Sequence, residues 1–217
     1  GGSVPVDYGI ENHGTMMVGI LAANGHVKGA AVGVEVSVAA VLGTGSEGGN
    51  TGEEGMVAAA IDWCWESQNV DIISLSLGGE QTESGEGLTN EAVQRAINAG
   101  VYVIAAAGND GDTDDDGLVA APSNEPLAIS VGATSKGGMI WEGSSMGSQV
   151  HGTDERQHPN QKPEILAPGE GIISTGSDQA YYRSTGTSDS TVFVSGALAL
   201  IISAHPELKP SQAKLMR

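Results

Sequence analysis

Val101-Tyr102-Val103-Ile104-Ala105-Ala106-Ala107-Gly108-Asn109 is a continuous apolar run that stops on a glycine and an amide. A strand with one wet face alternates polar and apolar residues; a run without alternation is buried on both faces. The flanking sequence supplies the cover. Thr89 to Ala99 reads as a helix stopped by Gly100, and Glu53 to Gln68 has helical spacing at Met56, Ala59, Ala60 and Trp63, with two acids in its first turn to suit the dipole. Further apolar strands are expected over Val34 to Leu42, Asp71 to Leu77 and Leu127 to Val131. Four such strands separated by helices imply an α/β three-layer sandwich. Its central sheet is mostly parallel, with helices on both faces and right-handed crossovers.

Outside these strands, His13 to Ala23 is a helix of small and apolar residues that ends at Asn24-Gly25. Ile172 to Thr175 suits a hairpin arm. Val192 to Ile202 is apolar all round, as in a helix at the centre of a domain. His205-Pro206 ends it, and Pro210-Ser211 opens a last helix that is unfinished at Arg217. With no repeat and no linker, the 217 residues read as one domain.

Aromatic residues make up 4% of the chain, so the core falls to Val, Ile, Leu and Ala, while 33 glycines suit many tight turns. The net charge of −18 excludes nucleic acid as a partner, since no basic cluster is present to release counterions. The acidity reads as a solubility adaptation, with some carboxylates left for calcium. Cys64, between Trp63 and Trp65, reads as a packed free thiol. No run of 18 apolar residues is present, so no membrane span is expected. Gly1-Gly2-Ser3 is not a signal peptide, and any targeting segment is expected outside this chain.

Gly43-Thr44-Gly45-Ser46-Glu47-Gly48 matches the dinucleotide-binding pattern G-x-G-x-x-G. The glycines continue to Gly49 and Gly52, which starts the helix too late, and Glu47, Glu53 and Glu54 stand where phosphate would sit. A flexible loop that lines a cleft is the better reading.

Acyl transfer needs a nucleophile, a base and donors for an oxyanion. His13, between Asn12 and Gly14-Thr15, stands at a helix start. Ser188, after Gly186-Thr187, opens the buried apolar helix, where unpaired N–H groups favour a negative oxygen. Asn109 ends its strand at the carboxyl edge of the sheet, where open α/β folds place their sites.

Singly these signals are weak; their order carries a resemblance to the subtilisin-like serine proteases. His13-Gly14-Thr15-Met16-Met17-Val18-Gly19 resembles the family's histidine motif, and Ser74 to Gly79 its substrate-binding strand. Ala105 to Asn109 is similar to the segment with the oxyanion asparagine, and Ala167-Pro168-Gly169 to the family's A-P-G. Gly186-Thr187-Ser188 with Val194-Ser195-Gly196 is similar to both ends of the serine motif. The resemblance implies Ser188 as nucleophile and His13 as general base, with Asn109 and the Ser188 N–H as oxyanion donors. It further implies Ser76, Leu77 and Gly78 as one wall for a peptide added as an edge strand, and Ala106, Ala107 and Gly108 as the other. Polypeptides are the implied substrates and a propeptide a possible partner. Secretion or a cell-envelope location is implied, and no cofactor is needed for the chemistry.

The chain also departs from the pattern. The family aspartate precedes the histidine by a strand and more, whereas twelve residues precede His13, with Asp7 in what resembles the loop before the motif. The peptidase domain, residues 1–217, is therefore expected to lack its aspartate-bearing segment and its C-terminal end. Asp189, Val192 and Phe193 replace the usual Met, Pro and His, and the carboxylate beside the nucleophile would favour a protonated His13. A catalytically silent relative that binds peptides is the alternative.

Asp112-Thr113-Asp114-Asp115-Asp116-Gly117 matches the first half of a calcium loop, with Asp112, Asp114 and Asp116 as ligands, but the twelfth position is Ser123, not Glu. Structural calcium and a solvated acidic loop both remain open. His26, His151, His158 and His205 show no metal spacing.

Overall fold

The computed structural model of the protein describes residues 12–44, 50–80, 87–111, 118–148 and 161–210. In chain order, α1 (His13–Ala22) is followed by β1 (Gly43–Thr44), β2 (Asn50–Thr51), α2 (Glu54–Glu66), β3 (Ile72–Leu75), α3 (Leu88–Asn98) and β4 (Tyr102–Ala106). Then come β5 (Ile129–Thr134), β6 (Gly147–Ser148), β7 (Gln161–Lys162) and β8 (Ile165–Pro168). The hairpin β9 (Ile172–Thr175) and β10 (Tyr181–Ser184) leads into α4 (Thr187–Ala204).

The central sheet has the order β3-β4-β5-β8 and every pairing in it is parallel, with Ser74 opposite Ile104, Ala105 opposite Ser130 and Gly132 opposite Leu166. β4 is buried at every position, as its unbroken apolar run requires. Successive side chains of a strand face opposite ways. Val103 and Ala105 join the core beneath α2 and α3, which includes Val57, Ile61 and Val93. Tyr102 and Ile104 join Val131 and Leu198 on the side of α4. Full burial of a side chain such as Ile104 stabilises by about 1.5–3 kcal/mol. Met16, Met17 and Ile20 of α1 then pack with Val192 of α4. Helices thus cover both faces, and the α/β reading holds.

Four expectations need correction. Val34 to Leu42 forms no ladder among the described residues, and Val36 and Val38 are exposed. β-Branched content favours extended backbone, but a strand exists only where its N–H and C=O groups find a partner. The fourth strand of the sheet is instead β8, a short segment ending in Pro168. The second correction concerns α2, which buries Val57, Ala58 and Ile61 and leaves Met56 and Trp63 exposed. Both sets have helical spacing, and packing against α3 selects the first. Third, β5 begins at Ile129 because Ala128 N–H bonds back to the Glu125 carbonyl at 3.1 Å, a turn that leaves Leu127 exposed.

The fourth correction concerns α4, which is not buried all round: Leu200 and Ile201 are exposed. By length and composition alone α4 is apolar enough to cross a membrane. Its packing against the sheet and α1 is that of a core helix. The last expected helix, after Pro210, falls outside the described residues.

Candidate active site

Parallel pairing brings the carboxyl ends of β3 and β4 to one edge of the sheet. Ser76-Leu77-Gly78 follows the first and Ala107-Gly108-Asn109 the second. Between them runs the segment 118–121. Ala120 N–H donates to the Ala107 carbonyl at 2.7 Å, while Ala121 and Gly79 exchange backbone bonds at 2.9 and 3.0 Å. The two glycines are sterically required. A Cβ on Gly78 would lie 2.8 Å from Ala120 Cβ, and one on Gly108, at φ +114°, 2.8 Å from Ser145 Oγ. The three segments form a groove with backbone at its surface.

The start of α4 closes one end of this groove. Gly186 stands at the N-cap, and no neighbouring side chain caps the helix. Asn109 does so from across the fold. Its Oδ1 accepts from Thr187 N–H at 2.9 Å and from Thr187 Oγ1 at 3.0 Å, and Thr187 Oγ1 accepts from Gly108 N–H at 3.2 Å. Two bonds to one oxygen fix the plane of the amide, so the direction of its NH₂ is fixed as well. Ser188 is the next residue, half-buried, and its N–H is one of the helix-start donors without an intrahelical acceptor. Its hydroxyl donates to the Ser76 carbonyl at 3.3 Å, and Ser76 Oγ donates to the Ser188 carbonyl at 3.0 Å. Gly169, just past β8, accepts from Gly186 N–H at 2.8 Å. A Cβ there would lie 2.5 Å from Ser190 Oγ and 2.6 Å from Ala133 Cβ, so only glycine lets the sheet edge meet the helix start.

His13 opens α1 and is half-buried. Two bonds tie this helix start to the hairpin loop and to β9. Asn12, at φ 59°, accepts from Ser177 N–H at 3.0 Å, and Ser174 Oγ donates to the Met16 carbonyl at 2.7 Å. Since α1 packs on α4, both candidate reacting residues stand in the first turns of two helices in mutual contact.

Asp189 is fully buried. Its Oδ2 accepts from Ser184 Oγ at 2.9 Å, while Oδ1 has no hydrogen-bond partner among the described residues. Burial disfavours the charged form and pushes this carboxyl up to about 6, against the opposing pull of the Ser184 bond. Burial likewise raises the Cys64 thiol, in keeping with a packed, unreactive side chain.

Among the sequence-derived candidates, the fold brings Asn109, Ser188 and the segments 76–78 and 106–108 to one edge. Asp7, His151 and His158 lie outside the described residues, as do Asp112, Asp114 and Asp116. Among the described residues no three His, Cys, Asp or Glu side chains form a metal-binding group. His26 and His205 are exposed. Sequence reasoning does not single out Thr187, although it fixes Asn109. Its position between Gly186 and Ser188 in the serine motif is the available signal.

A parallel α/β sandwich whose sheet edge meets the start of a buried helix through Gly169, Asn109 and Ser76 defines a subtilisin-like fold and site frame. The family model described as subtilase matches residues 6–216, and the chain belongs to that family. It is 33% identical over 204 residues to subtilisin amylosacchariticus of Bacillus subtilis subsp. amylosacchariticus, covering 94% of this chain and 49% of that one. It is 37% identical over 197 residues to the major intracellular serine protease of Bacillus subtilis (strain 168), covering 90% and 56%. The solved structure of sphericase aligns with a TM-score of 0.79 at 28% identity, covering 99% of this chain and 71% of its own. The chain therefore spans about half the length of the curated relatives it matches.

Proposed function

We propose that this protein is a serine endopeptidase that cleaves polypeptides through an acyl-enzyme. Ser188 Oγ attacks the scissile carbonyl, and His13 takes the proton and returns it to the leaving amine. The oxyanion is held by Asn109 Nδ2 and the Ser188 N–H. The observation that carries this reading is the pair of hydrogen bonds from Thr187 N–H and Oγ1 to Asn109 Oδ1, which fixes a side-chain amide next to the residue that precedes Ser188. Preorganised donors need no reorientation as charge develops. The substrate backbone lies as an added strand between Ser76–Gly78 and Ala106–Gly108. On binding, the Ser76 carbonyl exchanges the Ser188 hydroxyl for a substrate N–H.

Within this reading the 217 residues belong to one peptidase domain whose orienting acid is not among the described residues. Asp112, Asp114 and Asp116 would hold calcium in a structural role, and a propeptide would assist folding. A secreted or envelope location accords with the family resemblance, although the intracellular relative shows that the family is not confined to the exterior. The test is cleavage of a mixed peptide substrate by the protein and by Ser188→Ala. Cleavage confined to the parent supports the assignment, and equal cleavage by the variant rejects it.

A further inference from the structure

Lys162 is the largest fully buried side chain among the described residues. Its Nζ donates to the carbonyls of Glu125 at 2.9 Å and Ala128 at 2.8 Å, and lies 2.8 Å from Glu164 Oε1. Glu164 Oε2 accepts from Ser130 N–H at 2.8 Å. Neither charge takes part in the chemistry at Ser188. A buried ion pair contributes little net stability against its desolvation cost, but it demands one geometry of everything that holds it.

We propose that Lys162 is a positioning residue that holds in register the two segments backing the substrate groove; this rests on the peptidase reading above. One segment is the turn from Glu125 to Ala128, which continues from Ala120 and Ala121, the residues bonded to both groove walls. The ammonium fastens that turn by its two carbonyls. The other segment leads into β6, where Gly147 stands opposite Lys162. Ser145, just before it, donates its N–H to the Gly108 carbonyl at 3.0 Å and accepts from Asp110 N–H through Oγ at 3.0 Å. Lys162 therefore ties the turn behind the groove, through its side chain, to the support behind Gly108, through the backbone pairing of β7 with β6, and Ser188 is anchored separately through Ser76 and α4.

The test separates peptide binding from reactivity at the serine. The parent and Lys162→Met are labelled with a small fluorophosphonate, with and without a competing hexapeptide. In Lys162→Met the labelling rate stays within about threefold of the parent, while the peptide concentration for half-protection rises about tenfold or more, because small misplacements of binding groups have large effects. A purely structural role lowers the melting temperature and leaves protection unchanged, and that result in the folded variant overturns the proposal. If Lys162→Met does not fold, Lys162→Met/Glu164→Met removes both charges and still releases the two carbonyls. The same loss of protection is expected, and retained protection overturns the proposal. A parent that is not labelled at all contradicts the peptidase reading instead.

Discussion

Ser188 and Ser76 hold each other reciprocally, each hydroxyl donating to the other's carbonyl, at 3.3 Å and 3.0 Å. The longer bond directs the Ser188 proton to a carbonyl just past β3 that, in the proposed reading, would accept a substrate N–H instead. The shorter one fastens the first turn of α4 to the residue just past β3. Ser76→Ala removes only the second bond. It is expected to lower stability by about 1 kcal/mol and to slow reaction at Ser188 by less than tenfold, checked by thermal melts and labelling rates.

Asn109→Ala removes the proposed oxyanion donor and the acceptor that caps both Thr187 groups, and is expected to lower stability by about 1 kcal/mol. The labelling rate at Ser188 is expected to fall about 10²–10³-fold, the range that belongs to subtilisin's own oxyanion asparagine and is carried over to this chain. A variant that stays folded at the assay temperature would locate the loss in reactivity.

Thr187→Val keeps the size of the side chain and the backbone bond to Asn109 while removing the Oγ1 bonds to Asn109 and Gly108. With one bond left, the amide is free to swing. The expected result is a loss of about tenfold in labelling, smaller than that of Asn109→Ala, with the buried hydroxyl's partners costing about 1–2 kcal/mol in stability.

Asp189 makes stability depend on pH. Its carboxyl is raised from the ordinary value of 3.8 to about 6 by burial, so the folded state binds the proton more tightly than the unfolded one. The resulting stabilisation is complete below about pH 3.8 and is lost as pH rises through about 6. Asp189→Asn removes this dependence. Relative to the parent, the variant is expected to gain up to about 3 kcal/mol between pH 4 and pH 8, measured by urea unfolding at both values. An equal difference at the two pH values would contradict the buried, raised carboxyl.

Gly169→Ala forces a methyl group to within 2.5 Å of Ser190 Oγ and 2.7 Å of the Gly186 carbonyl. Overpacking of this kind costs about 1–3 kcal/mol. Because the strain falls on Gly186 and Ser190, two residues before and after Ser188, labelling should slow as well. Melting and labelling measured together check both effects.

The parts of the fold that can be read from sequence are those where local pattern and tertiary role coincide. β4 is apolar without interruption because both of its faces are covered, and the composition states this directly. β8 escapes notice because Ile165-Leu166-Ala167-Pro168 is short and Ile165 and Leu166 are exposed, so it carries no burial pattern of its own. The opposite error arises at Val34 to Leu42, where β-branched side chains suggest a strand although pairing depends on a partner outside the segment. At the site, Asn109 and Ser188 are legible as motif residues. The Thr187 bonds are not, because they join positions separated by 78 residues in the chain. Nor does sequence reveal a buried ammonium: the Glu125 and Ala128 carbonyls that hold Lys162 lie more than thirty residues away in the chain.

The central claim is that Ser188 is an activated nucleophile. The most direct measurement is reaction of the purified protein with a fluorophosphonate probe, followed by peptide mapping, with Ser188→Ala and His13→Ala in parallel. The account predicts an adduct on Ser188 alone, absent from Ser188→Ala and strongly reduced in His13→Ala. A folded protein that forms no adduct, or forms it equally well without His13, would contradict the account.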